Sequence, residues 1–97
     1  DKKNIYLVAK KNSKNIAIIR YDINKSIAET SIIIDTSCRG RGLGKKILKR
    51  SENFIKQKLI LTARVNLANK PSFKIFRSND YKILSLYKKI YTLYKIF

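Results

Sequence analysis

The chain alternates between short apolar segments and polar turns, and the period of each segment predicts its secondary structure. Apolar and β-branched residues dominate segments 5–9, 16–21, 26–35 and 59–65, which predicts four strands. The short polar stretch 10–15 predicts a hairpin between the first two strands, and 22–25 predicts a second turn.

The third strand, 26–35, has two distinct faces. Its period of two places Ala28, Thr30, Ile32 and Ile34 on one face, opposite Ile27, Glu29, Ser31 and Ile33. Its second half is continuously apolar, which is typical of a strand that is buried on both faces.

Two helices are predicted after this strand. The first has an apolar face at helical spacing, made of Leu43, Ile47, Leu48, Ser51, Phe54 and Ile55. Its polar face holds Lys45, Lys49, Glu52 and Lys56, the last two in a favourable i,i+4 order. Together with the strand at 59–65, it predicts a right-handed parallel βαβ unit.

The second helix covers 71–78, with Asn69 as its cap, Pro71 in its first turn, and Phe73 and Phe76 facing inward. The tail from Tyr81 has two interpretations. Its apolar residues suit a helix, whereas 91–97 alternates like a strand.

Length and composition predict a single globular domain over residues 1–97, and we expect it to be truncated because it begins in the middle of a sheet. The net charge of +17 is compatible with nucleic-acid binding. However, 17 of the 23 basic residues are Lys, which favours a solvated lysine-rich surface.

Several classes of chemistry are excluded by the residues that are absent. With no His, the chain cannot form a Ser-His-Asp triad, a Cys-His dyad or a His-containing zinc site, and with six carboxylates we expect no metal site. The single cysteine, Cys38, allows no internal disulfide and lacks a His to activate it as an acyl carrier. No apolar segment is long enough to span a membrane and no signal peptide is evident, so we expect a soluble, cytoplasmic protein.

The stretch 38–46, between a predicted strand and a predicted helix, has the composition of a phosphate-binding loop. Gly40, Gly42 and Gly44 free the backbone, and Arg39, Arg41, Lys45 and Lys46 add positive charge near a helix N-terminus. A dinucleotide fingerprint would need glycine at position 45, and a P-loop would need glycine at 39 and a hydroxyl at 46. Both signatures fail.

A third signature fits. Arg39, Gly42 and Gly44 match the pattern [QR]-x-x-G-x-[GA]. Downstream, the segment from Ala63-Arg64-Val65 through Asn69, Ser72 and Ile75-Phe76 to Asp80-Tyr81 resembles A-x-V…N-x-x-S-x-x-[LI]-[YF]-x-x-x-G-[FY]. In both motifs and their order, residues 5–97 resemble the GNAT-type N-acetyltransferase superfamily.

The resemblance implies an α/β (α+β) fold: a mostly antiparallel mixed sheet with one parallel βαβ unit, here without the family's N-terminal strand and helices. It also favours two strands for the tail. The implied cofactor is acetyl-CoA, with its pyrophosphate held by the loop residues Arg39, Gly40, Arg41, Gly42, Leu43, Gly44 and Lys45. The main chain of Ile32, Ile33 and Ile34 would pair with the pantetheine arm, and a bulge in that strand would direct an N–H at the thioester carbonyl. Asn69 and Ser72 would face the thiol end.

The implied reaction is acetyl transfer to a primary amine on a small molecule or a protein. Glu29 is the candidate base if burial raises its pKa; alternatively it orients substrate or pairs with Arg20 or Lys25. The family often uses a Tyr to protonate the departing thiolate, and this chain has Phe76 at that position. Either Tyr81 donates the proton instead, or the thiolate leaves without being protonated, or the activity is lost. Asp80 stands where the family has Gly, and Asp tolerates the left-handed conformation well.

Three further questions stay open at this point. The segment that precedes the loop resembles acetyltransferase domains that act on nucleotide-linked amino sugars. A homodimer is one of the oligomeric states that stay open. One alternative function is a catalytically silent CoA-binding or interaction domain. The other is a nucleic-acid module built on Lys45, Lys46, Lys49 and Arg50 with a stacking surface of Tyr87, Tyr91 and Tyr94.

Overall fold

The computed structural model describes residues 2–38, 40 and 42–97. Its strands are β1 (Lys2–Lys11), β2 (Lys14–Asn24), β3 (Ile27–Ile34), β4 (Ile60–Asn66), β5 (Lys82–Tyr87) and β6 (Ile90–Ile96). The helices are α1 (Leu43–Ser51) and α2 (Lys70–Ser78), and short 3₁₀ turns cover Thr36–Cys38 and Glu52–Phe54. Within these residues, no helix is long and apolar enough to cross a membrane.

The strands form one sheet in the order β1-β2-β3-β4-β6-β5. Strands β3 and β4 are parallel, and every other neighbouring pair is antiparallel. This is the mixed sheet with a parallel βαβ unit that the resemblance implied. The tail is a hairpin of two strands, with positive φ angles at Lys88 and Lys89 in its turn. The two-strand interpretation is confirmed.

The parallel pair β3–β4 separates soon after it forms. Its register extends only from Ile27↔Ile60 to Glu29↔Thr62, although both strands continue beyond those residues. On its other side, β3 pairs with β2 in unbroken register along its whole length. The bulge expected in β3 is therefore absent. The gap arises because β4 separates from β3, which itself remains regular.

Both helices cover the same face of the sheet. Leu48 of α1 and Phe76 of α2 belong to one buried cluster with Ala28, Leu61 and Leu93 from three strands. The opposite face is open, and Ile33 is 68% exposed on it. The prediction that β3 is buried on both faces is therefore wrong, because its continuous apolar run has a helix layer on one side only.

The end of α1 also differs from its predicted pattern. The helix ends at Ser51, and the tighter 3₁₀ turn that follows changes the direction in which side chains point. Phe54, predicted to face the core, is 58% exposed, whereas Glu52, predicted on the solvent face, is buried. Glu52 pairs with Lys95 of β6 instead of Lys56.

Candidate functional site

The connection from β3 to α1 is anchored at its first residue. The amide of Asp35 donates to the carbonyl of Ile16 at 2.8 Å, and the amide of Cys38 donates back to the carbonyl of Asp35 at 2.9 Å. A hydrogen bond from the Ser37 hydroxyl, together with the Lys14 ammonium 3.5 Å away, holds the pKa of the Asp35 carboxyl below its usual value. The loop thus leaves the sheet in a defined direction.

Gly40 and Gly42 provide the turn itself. Their φ angles are +78° and +71°, a region that glycine adopts without strain, and a Cβ at either position would meet no atom within 4 Å. Gly42 is the N-cap residue of α1 and supplies no side-chain cap. The first N–H groups of α1 are therefore not satisfied by a cap at this position. The pyrophosphate roles predicted for Arg39 and Arg41 lie outside the described residues.

Gly44 is required for a different reason, close packing. A Cβ at position 44 would lie 2.7 Å from Ile34 Cδ1 and 2.8 Å from Ile75 Cγ1. The first turn of α1 thus rests directly against β3 and α2. Leu43 before it is half-buried, and Lys45 after it is exposed.

A groove follows the edge of β3 that no strand covers. It consists of two adjoining depressions of about 170 and 160 Å³ that share Ile32, Asn69 and Ser72. The first also contains Ile33 and Ile34, and the second extends into the gap between β3 and β4. We call this feature the β3 groove. It brings together five residues that the sequence predicts at one cofactor site: Ile32, Ile33, Ile34, Asn69 and Ser72.

Asn69 has a structural role as well as a position in the groove. Its Oδ1 accepts a hydrogen bond from the amide of Ser72 at 3.2 Å, so Asn69 caps α2. Pro71 occupies the first turn, where its missing N–H has no helical partner to lose. The predicted cap is confirmed, and the helix begins at Lys70, one residue before the predicted start.

The gap between β3 and β4 opens towards both faces of the sheet. Thr30, Val65 and Phe76 line it from the helix side, and Glu29 and Arg64 line it from the open face. Arg64 Nε donates to Glu29 Oε2 at 2.6 Å, and this hydrogen bond raises the pKa of the Arg64 guanidinium.

This ion pair changes the interpretation of Glu29. The base hypothesis required burial, but the Glu29 side chain is 37% exposed and bound to a cation. Its partner is neither of the two considered from sequence, and Arg20 pairs with Asp22 instead. Arg64 was missed as a site residue, although alternation places it on the same face as Thr62, the register partner of Glu29.

Tyr81 lies in the core and not in the groove. Its side chain is fully buried, burial raises its pKa, and its hydroxyl is 3.1 Å from Thr30 Oγ1. Phe76 packs edge-on against its ring at 5.0 Å and lines the groove. The structure therefore brings Thr30, but not Tyr81, to the gap. Asp80 has a φ of +69°, so the turn that the family makes with Gly is retained.

The tyrosines proposed as a nucleic-acid stacking surface do not form one. Tyr91 faces the helix layer, where its ring lies 4.6 Å from that of Phe73. Tyr94 is three residues further along β6 and points to the opposite face. Tyr87 is exposed on the edge strand. The four basic residues of α1 are solvent-exposed, as expected for a lysine-rich surface.

Comparison with known proteins identifies the family. The family model described as "Acetyltransferase (GNAT) domain" matches residues 2–90. The chain therefore belongs to the GNAT acetyltransferase family. No curated protein matches it.

Solved structures share the fold. The GNAT domain of PAT from S. lividans is 23% identical with a TM-score of 0.80, and the match covers 97% of this chain and 61% of that chain. The PaiA N-acetyltransferase from Thermoplasma acidophilum, in complex with coenzyme A, is 19% identical with a TM-score of 0.85 and the same coverage. The N-acetyltransferase PseH from Campylobacter jejuni, in complex with acetyl coenzyme A, is 22% identical with a TM-score of 0.77, covering 99% and 70%. The chain thus spans about three-fifths of the length of the first and second of these structures.

Proposed function

We propose that this chain is an N-acetyltransferase domain that binds acetyl-CoA and transfers its acetyl group to a primary amine. One observation carries the proposal: the β3 groove follows an unpaired strand edge, and its residues Ile34 and Ile75 lie against Gly44 in the first turn of α1, a helix whose start has no side-chain cap. An extended ligand arm can hydrogen-bond to the strand edge while its anionic end meets the free N–H groups of the helix.

The residues present fit coenzyme A. The open space around Gly40 and Gly42 leaves room for the pyrophosphate at the N-terminus of α1. We assign the pyrophosphate to the loop Arg39, Gly40, Arg41, Gly42, Leu43, Gly44 and Lys45. The main chain of Ile32, Ile33 and Ile34 would hold the pantetheine arm, and Asn69 and Ser72 would lie near the thiol end. When bound, acetyl-CoA supplies an activated acetyl thioester.

Glu29 would act on the acceptor amine from the open face. An amine attacks only in its neutral form, so it must lose a proton before or during the reaction. The Glu29 carboxylate, oriented by Arg64, would hold the amine at the gap, and because it is exposed and ion-paired it would relay that proton to water and not retain it as a buried base would.

Among the described residues, Thr30 is the gap-lining residue whose side chain is hydrogen-bonded to the Tyr81 hydroxyl. We therefore propose that any acid role of Tyr81 passes through this Thr30 hydroxyl. Tyr81→Phe keeps the ring in the core and removes the phenol. A lower turnover in a variant that remains folded under the assay conditions would support the acid role. Unchanged turnover would exclude it.

Isothermal titration with acetyl-CoA and with CoA tests the cofactor assignment. Gly42→Glu should abolish binding because it puts a negative side chain where the pyrophosphate would lie. Asn53→Glu adds the same charge at an exposed position, and this variant should bind acetyl-CoA normally. Gly42→Asn adds an uncharged side chain that tolerates the left-handed backbone, so it distinguishes the effect of charge from that of backbone strain. A folded protein that binds neither ligand would refute the proposal.

The role of Glu29 is tested by turnover. Glu29→Gln should reduce the rate of amine acetylation while leaving the affinity for acetyl-CoA unchanged, because Glu29 lies on the open face of the gap. An unchanged rate would remove Glu29 from the mechanism. Within the proposed function, a nucleotide-linked amino sugar is the acceptor that the approach to the loop favours.

A catalytically silent CoA-binding domain is the second candidate. It is favoured by Phe76 on the groove wall, where the family's motif has a tyrosine. Normal binding of CoA without turnover of any amine would support it. The cytoplasmic location and the homodimer stay predictions.

A further inference from the structure

Arg64 is an exposed cation at the gap between β3 and β4. It extends from β4 on the open face and borders the gap, opposite the first residues of β3 that have lost their β4 partner. Its side chain is 68% exposed. Its position therefore allows direct contact with a molecule that approaches the gap from that face.

Arg64 retains most of its hydrogen-bonding capacity. A guanidinium has five N–H donors, and Arg64 uses Nε to bind Glu29. Among the residues that the structure describes, neither terminal nitrogen of Arg64 has a hydrogen-bond partner. These terminal groups form the planar fork that binds carboxylates and phosphates through two parallel hydrogen bonds.

The carboxylates of the chain do not favour a polycationic acceptor. Glu29 is the single acidic residue among the described residues that line the β3 groove, and Arg64 already neutralises it. Of the five carboxylates that the structure describes, Asp80 alone makes no ion pair with another described residue. With a net charge of +17, the surface attracts anions and repels polycations.

We infer that the acceptor is a primary amine that also carries a carboxylate or phosphate, and that Arg64 is the residue that selects it. The inference rests on the proposed acetyl transfer. The anionic group would bind the terminal nitrogens of Arg64, while Nε keeps its hydrogen bond to Glu29. Glu29 would in turn bind the amine, so the ion pair would recognise both ends of a zwitterionic acceptor.

A matched pair of amines tests this inference. 2-Aminoethyl phosphate and ethanolamine differ in the phosphate and share the amine. Each is titrated into the CoA-saturated protein, and binding is followed by the Nε–H resonance of Arg64 in ¹H–¹⁵N NMR spectra. We expect at least about tenfold tighter binding of 2-aminoethyl phosphate, the lower range for hydrogen bonds to a charged group. β-Alanine against propylamine repeats the comparison for a carboxylate, and inorganic phosphate measures the contribution of the anion without the amine.

Variants of Arg64 and Arg50 distinguish recognition by the guanidinium of Arg64 from attraction by the overall positive charge. In Arg64→Gln the preference for 2-aminoethyl phosphate should disappear, with binding followed by backbone amide resonances and by calorimetry. Arg64→Lys should keep part of it because a lysine has charge without the fork. Arg50→Gln removes the same charge from the exposed face of α1 and should keep the full preference.

Three results would overturn the inference. Equal affinities for the two members of each pair would do so, as would a preference that survives in Arg64→Gln. A preference that is lost equally in Arg50→Gln would show that net charge, and not Arg64, is responsible. Absence of CoA binding would defeat the proposed function and this inference together, whereas CoA binding without an anion preference would defeat the inference alone.

Discussion

The buried ion pair between Glu52 and Lys95 should be one of the most sensitive points of the fold. Lys95 Nζ lies 3.0 and 3.1 Å from the two carboxylate oxygens of Glu52. The side chains are 19% and 8% exposed for Lys95 and Glu52, respectively. The pair joins β6 to the end of α1 and lies against the ring of Tyr81, 6.0 Å from Lys95 Nζ. Lys95→Met removes the ammonium and retains a flexible apolar side chain.

Lys95→Met leaves the Glu52 carboxylate without its cation. Breaking a buried ion pair in this way costs about 3–5 kcal/mol, and the partial exposure of Lys95 favours the lower end, about 3 kcal/mol. A domain of this length has a free energy of unfolding of about 5–15 kcal/mol, so the loss is a large fraction of the total. Urea unfolding followed by circular dichroism measures it from the shift in midpoint.

The double variant Glu52→Gln/Lys95→Met tests the cause. It removes both charges, so its stability should be within about 1.5 kcal/mol of the parent protein and clearly above that of Lys95→Met. A loss of less than about 1 kcal/mol in Lys95→Met would refute the reasoning, since the pair would then behave as an exposed one. A double variant no more stable than Lys95→Met would show that the stranded carboxylate is not the cause.

Four further predictions concern Gly42, Gly44, Tyr21 and Asn69. Gly42→Ala should lower the free energy of unfolding by about 1–2 kcal/mol through backbone strain alone, and Gly42→Asn by less; equal losses in urea unfolding would contradict this. Gly44→Ala should gain about 1 kcal/mol of helix propensity and lose about 1–3 kcal/mol to overpacking, and Ile75→Val, which removes Ile75 Cδ1, the atom nearest to the added Cβ, should partly rescue it. Burial raises the pKa of Tyr21 to about 12 from its ordinary 10.0. Below pH 10 both states keep this proton, and above it the unfolded state loses the proton first, so stability should fall as the pH rises from 10 to 12. Tyr21 should contribute about 2.7 kcal/mol of this loss, and Tyr21→Phe should remove that share while leaving the share of Tyr81, whose pKa burial also raises; an identical profile in that variant would exclude Tyr21 as a cause. Asn69→Ala should cost about 1 kcal/mol by removing the cap of α2, whereas Asn69→Asp should retain stability in thermal unfolding. A loss of CoA affinity in a stable Asn69→Asp would support its place beside the cofactor.

The sequence patterns correctly predicted those structural features that are determined by residues close together in the chain. Asn69 and Pro71 fixed the start of α2, alternation separated the two faces of β3, and the spacing of Arg39, Gly42 and Gly44 identified the family's loop. Each of these signals is contained within a few residues of the feature that it predicts. Local patterns therefore predicted most of the element order, whereas the groove residues were predicted from the resemblance to the family.

The errors arose where a side chain depends on distant partners. The apolar run of β3 contains no information on how many layers cover the sheet, so Ile33 was expected in the core and lies in solvent. Glu52 looked like a surface residue because its partner Lys95 is 43 residues away. Likewise, Arg64 meets Glu29 across a parallel pair that links residues 35 apart. Such contacts follow from strand register, which single-sequence patterns leave undetermined.

The topology explains why the candidate site lies at this gap. Parallel strands β3 and β4 end at the same edge of the sheet, so the helix that follows each strand begins there: α1 after Gly42 and α2 after Asn69. At α2 the side chain of Asn69 already accepts a hydrogen bond from the Ser72 amide. At α1 the N-cap residue is a glycine with no side chain to offer. Of the two helix starts beside the gap, α1 therefore has the greater need of an external acceptor, and the anionic end of a ligand in the β3 groove would meet that need.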